Sequence, residues 1–142
     1  MDIIETSLEI ALNAYKGQKD KAGKTYILHP LRLMNKMKDD GQMAVALLHD
    51  VIEDSHITAA DLLHAGIPQT VVDAVQCLTK QESESYEQFI QRIKANPLAT
   101  AVKIADIEDN INILRLDAVT EKDLQRVNKY HKAWHELNSP NS

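Results

Sequence analysis

The sequence predicts an all-α fold, a single domain over residues 1–142 built from about seven or eight helices. Apolar residues recur at helical spacing along almost every segment. Capping residues open the segments and Gly or Pro residues separate them. Neither an internal repeat nor a low-complexity linker interrupts this pattern. The helices should therefore pack around one shared core.

Composition narrows the class of protein. A chain of 142 residues with 44% hydrophobic and 26% charged residues is typical of a soluble globular domain. The net charge of −5 argues against nucleic acid as the main partner. The lone cysteine, Cys77, excludes an internal disulfide and fits a reducing compartment. No apolar run reaches membrane length and no signal-like start is present, so we expect a cytoplasmic protein without membrane contact.

Three helices are predicted in the first half of the chain. Asp2 caps the first helix, which Gly17 ends. Pro30 suits the first turn of a second helix that extends to about Asp39. Asp40-Gly41 then turns the chain into a third, central helix.

The second half carries further start and stop signals. Helix starts are predicted at Thr58 with Asp61, Pro68, Ser85, Pro97 and Thr120 with Asp123. The helix from Pro97 should reach about Leu116. The last helix has apolar and aromatic positions at a spacing of three and four, namely Leu124, Val127, His131 and Trp134.

The central stretch from Ala44 to Asp54 is the most informative segment. At about 100° per residue, its side chains separate into an apolar arc and a polar arc. The polar arc holds His49, Asp50, Glu53 and Asp54 without a balancing Lys or Arg. A solvated helix face is one interpretation. A divalent metal ion over this face is the other, because like-charged pairs about 5 Å apart cost roughly 3 kcal/mol each.

Other polar residues have two interpretations each. Asp106 lies in an apolar helix, where either Lys103 neutralises it or a functional site uses it. His29, just before Pro30, is either structural or a ligand. The loop from Gln18 to Leu28 is either solvated or binds an anionic substrate through its lysines, Lys19, Lys21 and Lys24.

Taken together, these residues resemble a known family. His29, His49-Asp50 and Asp106 match the H…HD…D pattern of HD-domain metal phosphohydrolases. Glu53-Asp54 after the His-Asp doublet is similar to the hydrolase domain of the RelA/SpoT family and the small alarmone hydrolases, in a compact short branch. Further matching segments are Gly17-Gln18, 26–30, 46–54, Leu78-Thr79-Lys80, 102–106 and Asn110.

The resemblance implies a function and a site. It implies that one divalent ion, typically manganese with zinc, iron or magnesium as alternatives, binds to His29, His49, Asp50 and Asp106. It also implies that Glu53 and Asp54 help to activate water, and that Asn110 lines a nucleotide site. Lys19, Lys21 and Lys24 could then hold phosphates. The expected reaction is cleavage of pyrophosphate from guanosine 3′,5′-bis(diphosphate).

The chain departs from the family pattern in three places. Asp20 stands where an arginine usually packs on the guanine, and Tyr15-Lys16 replaces a usual histidine. The segment 85–99 is shorter than its counterpart. A different nucleotide or phosphate ester as substrate, and a non-catalytic nucleotide-binding module, therefore remain alternatives. The sequence leaves open whether the chain forms a homo-oligomer.

Overall fold

The computed structural model describes residues 2–140, and the regular secondary structure of this part of the chain is helical. It contains nine α-helices and a 3-10 helix at Ile113–Arg115, with one isolated β-bridge between Lys19 and Thr25. The α-helices are α1 (Ile3–Ala14), α2 (Leu28–Asn35), α3 (Asp40–Leu48), α4 (Val51–Asp54), α5 (Ala59–His64), α6 (Gln69–Cys77), α7 (Tyr86–Lys94), α8 (Pro97–Asn110) and α9 (Glu121–Asn138). The predicted all-α class is confirmed. Taking α3 and α4 as one interrupted helix gives eight.

The predicted helix starts follow from local chemistry. Asp2 accepts hydrogen bonds from two backbone N–H groups of α1. Thr58, Ser85 and Thr120 each form a capping box with the residue three positions later. Gly17 follows α1 with φ of 82°, a backbone conformation that favours glycine.

Three predicted boundaries were wrong. α2 ends at Asn35 instead of near Asp39, because Asp39 is the N-cap of α3 and accepts from the Gln42 N–H. Asp40-Gly41 therefore lies inside α3 and is not a turn. α8 ends at Asn110, where the chain passes into the 3-10 helix instead of continuing to Leu116.

Helix α3 forms the centre of the core. It packs against α1, α2, α6 and α8. Every side chain from Ala44 to Leu48 is fully buried. The sequence predicted one apolar and one polar side for this helix. Residues 44–48 are instead buried on all sides, because neighbouring helices surround them.

The inward face of α9 also differs from the prediction. Leu124 is 50% exposed and His131 is exposed, whereas Ala133 and Leu137 are buried. The predicted positions have helical spacing. The face of α9 that packs against α7 and α8 is, however, rotated about the helix axis relative to those positions. None of the helices between residues 2 and 140 is long and apolar enough to cross a membrane.

The burial of α3 predicts the effect of a core truncation. Leu47→Ala should lower the free energy of unfolding by about 2–5 kcal/mol, because it opens a cavity in a fully packed helix. Chemical denaturation followed by circular dichroism measures this change.

Leu124→Ala is the matched control, with the same atoms removed from a half-exposed position. It should change stability by no more than about 0.5 kcal/mol. Equal losses in the two variants would contradict the assignment of α3 as the centre of the core.

Candidate metal and phosphate site

Four side chains that the sequence singled out meet in the interior. His29 lies in the first turn of α2, His49 and Asp50 lie between α3 and α4, and Asp106 lies on α8. Ligand atoms of His29, His49 and Asp50 all lie within 4.8 Å of one another. Asp106 Oδ1 lies 2.8 Å from His29 Nε2 and 3.6 Å from His49 Nε2. The structure thus brings together residues as far apart as 77 positions in sequence.

An interruption of the central helix directs His49 and Asp50 to the same cluster. The sequence predicted one continuous helix, but α3 ends at Leu48 and Asp50 has φ of −107° and ψ of 5°. His49 Nδ1 donates to the Ala46 carbonyl (2.7 Å), and the Asp50 N–H donates to the Tyr15 hydroxyl (3.1 Å). An unbroken helix would point adjacent side chains about 100° apart. The break instead leaves Asp50 Oδ2 only 3.1 Å from His49 Nε2.

The hydrogen bonds of the two histidines orient their remaining nitrogens. His49 Nδ1 bonds the Ala46 carbonyl, and His29 Nδ1 bonds Asp109 Oδ2 at 2.6 Å. Each Nε2 therefore faces the carboxylates, and His49 Nε2 is buried without a hydrogen-bond partner. Two imidazole nitrogens beside two carboxylate oxygens are a donor set that suits a divalent cation. The residues present fit such an ion.

The charges in the cluster favour protonated imidazoles. Burial lowers the pKa of His49, but the charges and polar contacts of Asp50 and Asp106 together outweigh it and raise that pKa well above its usual value. Burial likewise opposes protonation of His29, and hydrogen bonds to Asp106 and Asp109 raise its pKa. Metal ligands must be deprotonated, so a cation binding here would displace protons.

Asp106 is shared between the cluster and its own helix. Its Oδ2 accepts from Lys103 Nζ at 3.0 Å, and its Oδ1 accepts from Asn110 Nδ2 at 2.9 Å. Burial raises the pKa of Asp106, but the neighbouring cations and hydrogen bonds outweigh it and lower that pKa well below its usual value. The predicted pairing with Lys103 is therefore present, and because the other oxygen faces the histidines, a functional use of Asp106 stays a prediction.

A cleft of about 370 Å³ opens beside the cluster. His29, Asp50, Asp106 and Asn110 contribute to its wall. Its cationic side chains are Lys19, Lys21, Arg32, Arg115 and Arg126. Lys24, which the sequence grouped with the other two lysines, is not among the side chains that line this cleft. The sequence reasoning missed the three arginines, because they come from three separate elements.

The loop that carries these lysines is organised by Asp20. Asp20 Oδ1 accepts from the backbone N–H groups of Ala22 and Lys24, both at 2.9 Å. Bonds of this kind, from an Asp side chain to N–H groups further along its own chain, stabilise turns. Asp20 also lines the cleft, so it places a negative charge beside the lysines.

Glu53 and Asp54 are both exposed but have different neighbours. Glu53 Oε1 accepts from the Lys80 N–H at 2.8 Å. Partial desolvation, together with the charges of Asp50 and Glu53, raises the pKa of Asp54 to about 6. Neither carboxylate is among the described side chains that line the cleft.

Three residues at the cluster escaped the sequence reasoning. Tyr26 donates a hydrogen bond to Asp50, and Tyr15 accepts the Asp50 N–H. The rings of these tyrosines contact each other edge to face at 4.9 Å. Asp109 bonds His29 from the opposite side. Asp109 and Asn110 follow Asp106 by three and four positions, and this polar face in the sequence of α8 was a signal for Asp109. Nothing in the sequence pairs either tyrosine with Asp50.

Comparisons with known proteins agree on one family, although no protein-family model matches the chain. The guanosine-3′,5′-bis(diphosphate) 3′-pyrophosphohydrolase of Vibrio cholerae is 30% identical over 128 residues, 80% of this chain. The protein of the same name from Aquifex aeolicus is 28% identical over 123 residues, 78% of this chain. A GTP pyrophosphokinase of Myxococcus xanthus is 29% identical over 142 residues, 89% of this chain. The chain spans only 18% to 19% of the length of these relatives.

A solved structure shows the same fold. It belongs to a metazoan ortholog of SpoT, described as hydrolysing ppGpp, and superimposes with a TM-score of 0.78. The two chains are 21% identical, and the match covers 100% of this chain and 89% of the other. The HD motif, the helical fold and the sequence relatives lead to one assignment: the chain belongs to the RelA/SpoT family and corresponds to its HD-type domain.

Proposed function

We propose that the chain is a divalent-metal-dependent pyrophosphohydrolase that acts on a phosphorylated nucleotide, with guanosine 3′,5′-bis(diphosphate) as the leading candidate. The observation that carries the proposal is the buried His49 Nε2, which forms no aligned hydrogen bond although it faces carboxylate oxygens of Asp50 and Asp106 at 3.1 Å and 3.6 Å, beside a cleft with cationic side chains. Relatives named as hydrolases of this nucleotide support it. A cytoplasmic location agrees with a chain whose single cysteine is free.

The proposed metal ligands are His29, His49, Asp50 and Asp106. Manganese is the proposed ion, because mixed imidazole and carboxylate ligands suit it and the family resemblance favours it. When bound, the cation supplies Lewis-acid stabilisation of charge on a phosphoryl group and lowers the pKa of water. Asn110 and Lys103 hold Asp106 in place through its two oxygens.

We assign proton transfer to Asp54, whose backbone N–H donates to the Asp50 carbonyl at 2.9 Å, so that it lies one helical turn after a proposed metal ligand. A base works best when its pKa is near the working pH, and the pKa of Asp54 is raised to about 6. Glu53 instead bonds the Lys80 N–H and joins α4 to the segment after α6. In this proposal Asp54 accepts a proton from the attacking water, and Glu53 acts by positioning the backbone.

The cleft cations bind the phosphates. Lys19, Lys21 and Arg126 lie along the wall of the cleft, where their charges compensate those of a bis(diphosphate). The overall charge of the chain is −5, so this local positive wall is needed to attract an anion. Lys24 lies outside the proposed phosphate site.

Asp20 favours a second candidate, namely hydrolysis of another nucleotide or phosphate ester. A carboxylate gives a purine no cationic stacking surface, and it repels a nearby phosphate. We therefore propose weak selectivity for guanine. A panel of guanosine and adenosine phosphates with Mn²⁺, assayed for phosphate and for pyrophosphate release, tests both the hydrolase assignment and this selectivity.

Removal of one ligand charge should weaken metal binding strongly. Asp50→Asn keeps the shape of the side chain but loses the charge, so we expect the Mn²⁺ affinity to fall by more than the roughly 10-fold minimum that is typical of losing an outer-shell partner of a ligand. Metal analysis of protein purified without chelator, followed by Mn²⁺ titration, measures it. Retention of the full parental metal content would contradict the proposed ligand set.

Substitutions of Glu53 and of Asp54 should have different effects on kcat. Asp54→Asn should lower kcat by about 10²-fold or more with Mn²⁺ affinity unchanged, because the amide cannot take a proton. Glu53→Gln keeps an acceptor for the Lys80 N–H and should retain most activity, whereas Glu53→Ala should not. Steady-state kinetics, with every variant loaded to the same metal occupancy, measures these differences in kcat. A collapse of kcat in Glu53→Gln with normal Asp54→Asn activity would reverse the assignment.

The charge of Asp20 should weaken substrate binding. Asp20→Asn keeps the acceptor oxygen for the Ala22 and Lys24 N–H groups and removes the repulsion. We expect a lower KM with kcat unchanged, because the position is remote from the reacting phosphorus. Asp20→Arg is the comparison variant, since it adds a stacking cation but loses both loop bonds. An unchanged KM in Asp20→Asn would place the phosphates elsewhere.

A further inference from the structure

Asp109 is a buried acidic residue beside the metal cluster. Asp109 is 6% exposed, and it lies on α8 almost one turn after Asp106. Oδ2 accepts from His29 Nδ1 at 2.6 Å and from Arg32 Nη2 at 2.9 Å. Oδ1 accepts from Arg32 Nε at 2.8 Å and from Arg115 Nη1 at 3.0 Å. Both oxygens are therefore fully used as acceptors.

Two arginines hold this carboxylate in one orientation. Arg32, from α2, binds both oxygens with the fork of its guanidinium. Arg115, from the 3-10 helix, also donates to the main-chain carbonyl of Asp109. Because the two arginines approach from different elements, the carboxylate cannot rotate without breaking several charged hydrogen bonds.

The fixed carboxylate determines the state of His29. It keeps a proton on Nδ1, which turns Nε2 toward Asp106 at 2.8 Å and toward the His49 ring, whose centre is 5.3 Å from that of His29. Nε2 also faces a carboxylate, so a cation that binds this nitrogen must displace a proton from it. Asp109 accepts from Nδ1 and so retains the proton there and holds the ring in place. Without this acceptor, the ring could rotate or keep its remaining proton on Nε2, which would block that nitrogen as a metal ligand.

We propose that Asp109, clamped by Arg32 and Arg115, is the positioning residue that fixes the tautomer and ring orientation of His29 for divalent-cation binding. The inference rests on the proposed function, which makes His29 a ligand. Arg32 and Arg115 also line the cleft. Arg32 and Arg115 therefore belong both to the cleft wall that meets the substrate and to the hydrogen-bond network that supports the proposed ligand His29.

Asp109→Asn tests the inference directly. An amide offers one acceptor oxygen, so its NH₂ group must face either the His29 and Arg32 donors or the Arg32 and Arg115 donors. We expect the Kd for Mn²⁺, measured by electron paramagnetic resonance of the free ion, to rise about 10- to 100-fold. The visible absorption spectrum of the Co²⁺-loaded protein should also change, because it reports the geometry of the ligands.

Glu84→Gln is the matched control. Glu84 binds both Nε and Nη2 of Arg92 at 2.8 Å, which is a comparable two-point ion pair outside the residues that line the cleft. It should leave the Mn²⁺ Kd and the Co²⁺ spectrum unchanged whatever it does to the Tm of the metal-free protein. A purely structural role of Asp109 would make the two variants behave alike.

Other outcomes separate the two proposals. If Asp109→Asn does not fold, Arg32→Met decides, because it removes two of the four carboxylate bonds from a partly exposed position and should weaken Mn²⁺ binding several-fold. Folded Asp109→Asn with the parental Kd and spectrum would overturn the inference. A parent that binds Mn²⁺ but hydrolyses nothing would overturn the hydrolase alone, whereas a parent that binds no divalent ion would overturn both.

Discussion

The burial of the Asp106 carboxylate is the constraint on which the site depends. A buried charge is tolerated only when it is paired and hydrogen-bonded. Asp106 is 7% exposed, and its partners Lys103 and Asn110 lie on its own helix, while His29 comes from α2. The packing of α2 against α8 therefore brings the first histidine to this carboxylate.

The interruption between α3 and α4 is the second element of the site. Residues 44–48 of α3 are fully buried, so their side chains serve the core as far as Leu48. At His49 the imidazole bonds the Ala46 carbonyl, and at Asp50 the N–H bonds Tyr15. The helix ends where side chains replace its own hydrogen bonds. As a result, α3 ends here, and the adjacent side chains of His49 and Asp50 are directed to the same point.

Charge is distributed unevenly around the cleft. Asp50 and Asp106 lie with the histidines at the base of the cleft. The cationic side chains come from the loop after α1, from α2, from the 3-10 helix and from α9, and Asp20 and Asp123 stand among them. This arrangement suits a phosphorylated ligand whose anionic groups meet cations on the wall and, in the proposed function, a metal at the base. Asp109 joins the two regions, because its arginine partners face the cleft and its histidine partner faces the base.

The sequence by itself determined the all-α class and the caps at Asp2, Thr58, Ser85 and Thr120. Its resemblance to a known family, and not its local pattern, indicated which histidines and aspartates meet. Local propensities and capping act over a few residues, so they can be read directly from the chain. Only the tertiary structure decided where the central helix breaks, which arginines line the cleft, and that Asp109 supports His29. Those features depend on contacts between elements far apart in sequence, such as the 80 positions between His29 and Asp109, and no local pattern encodes them.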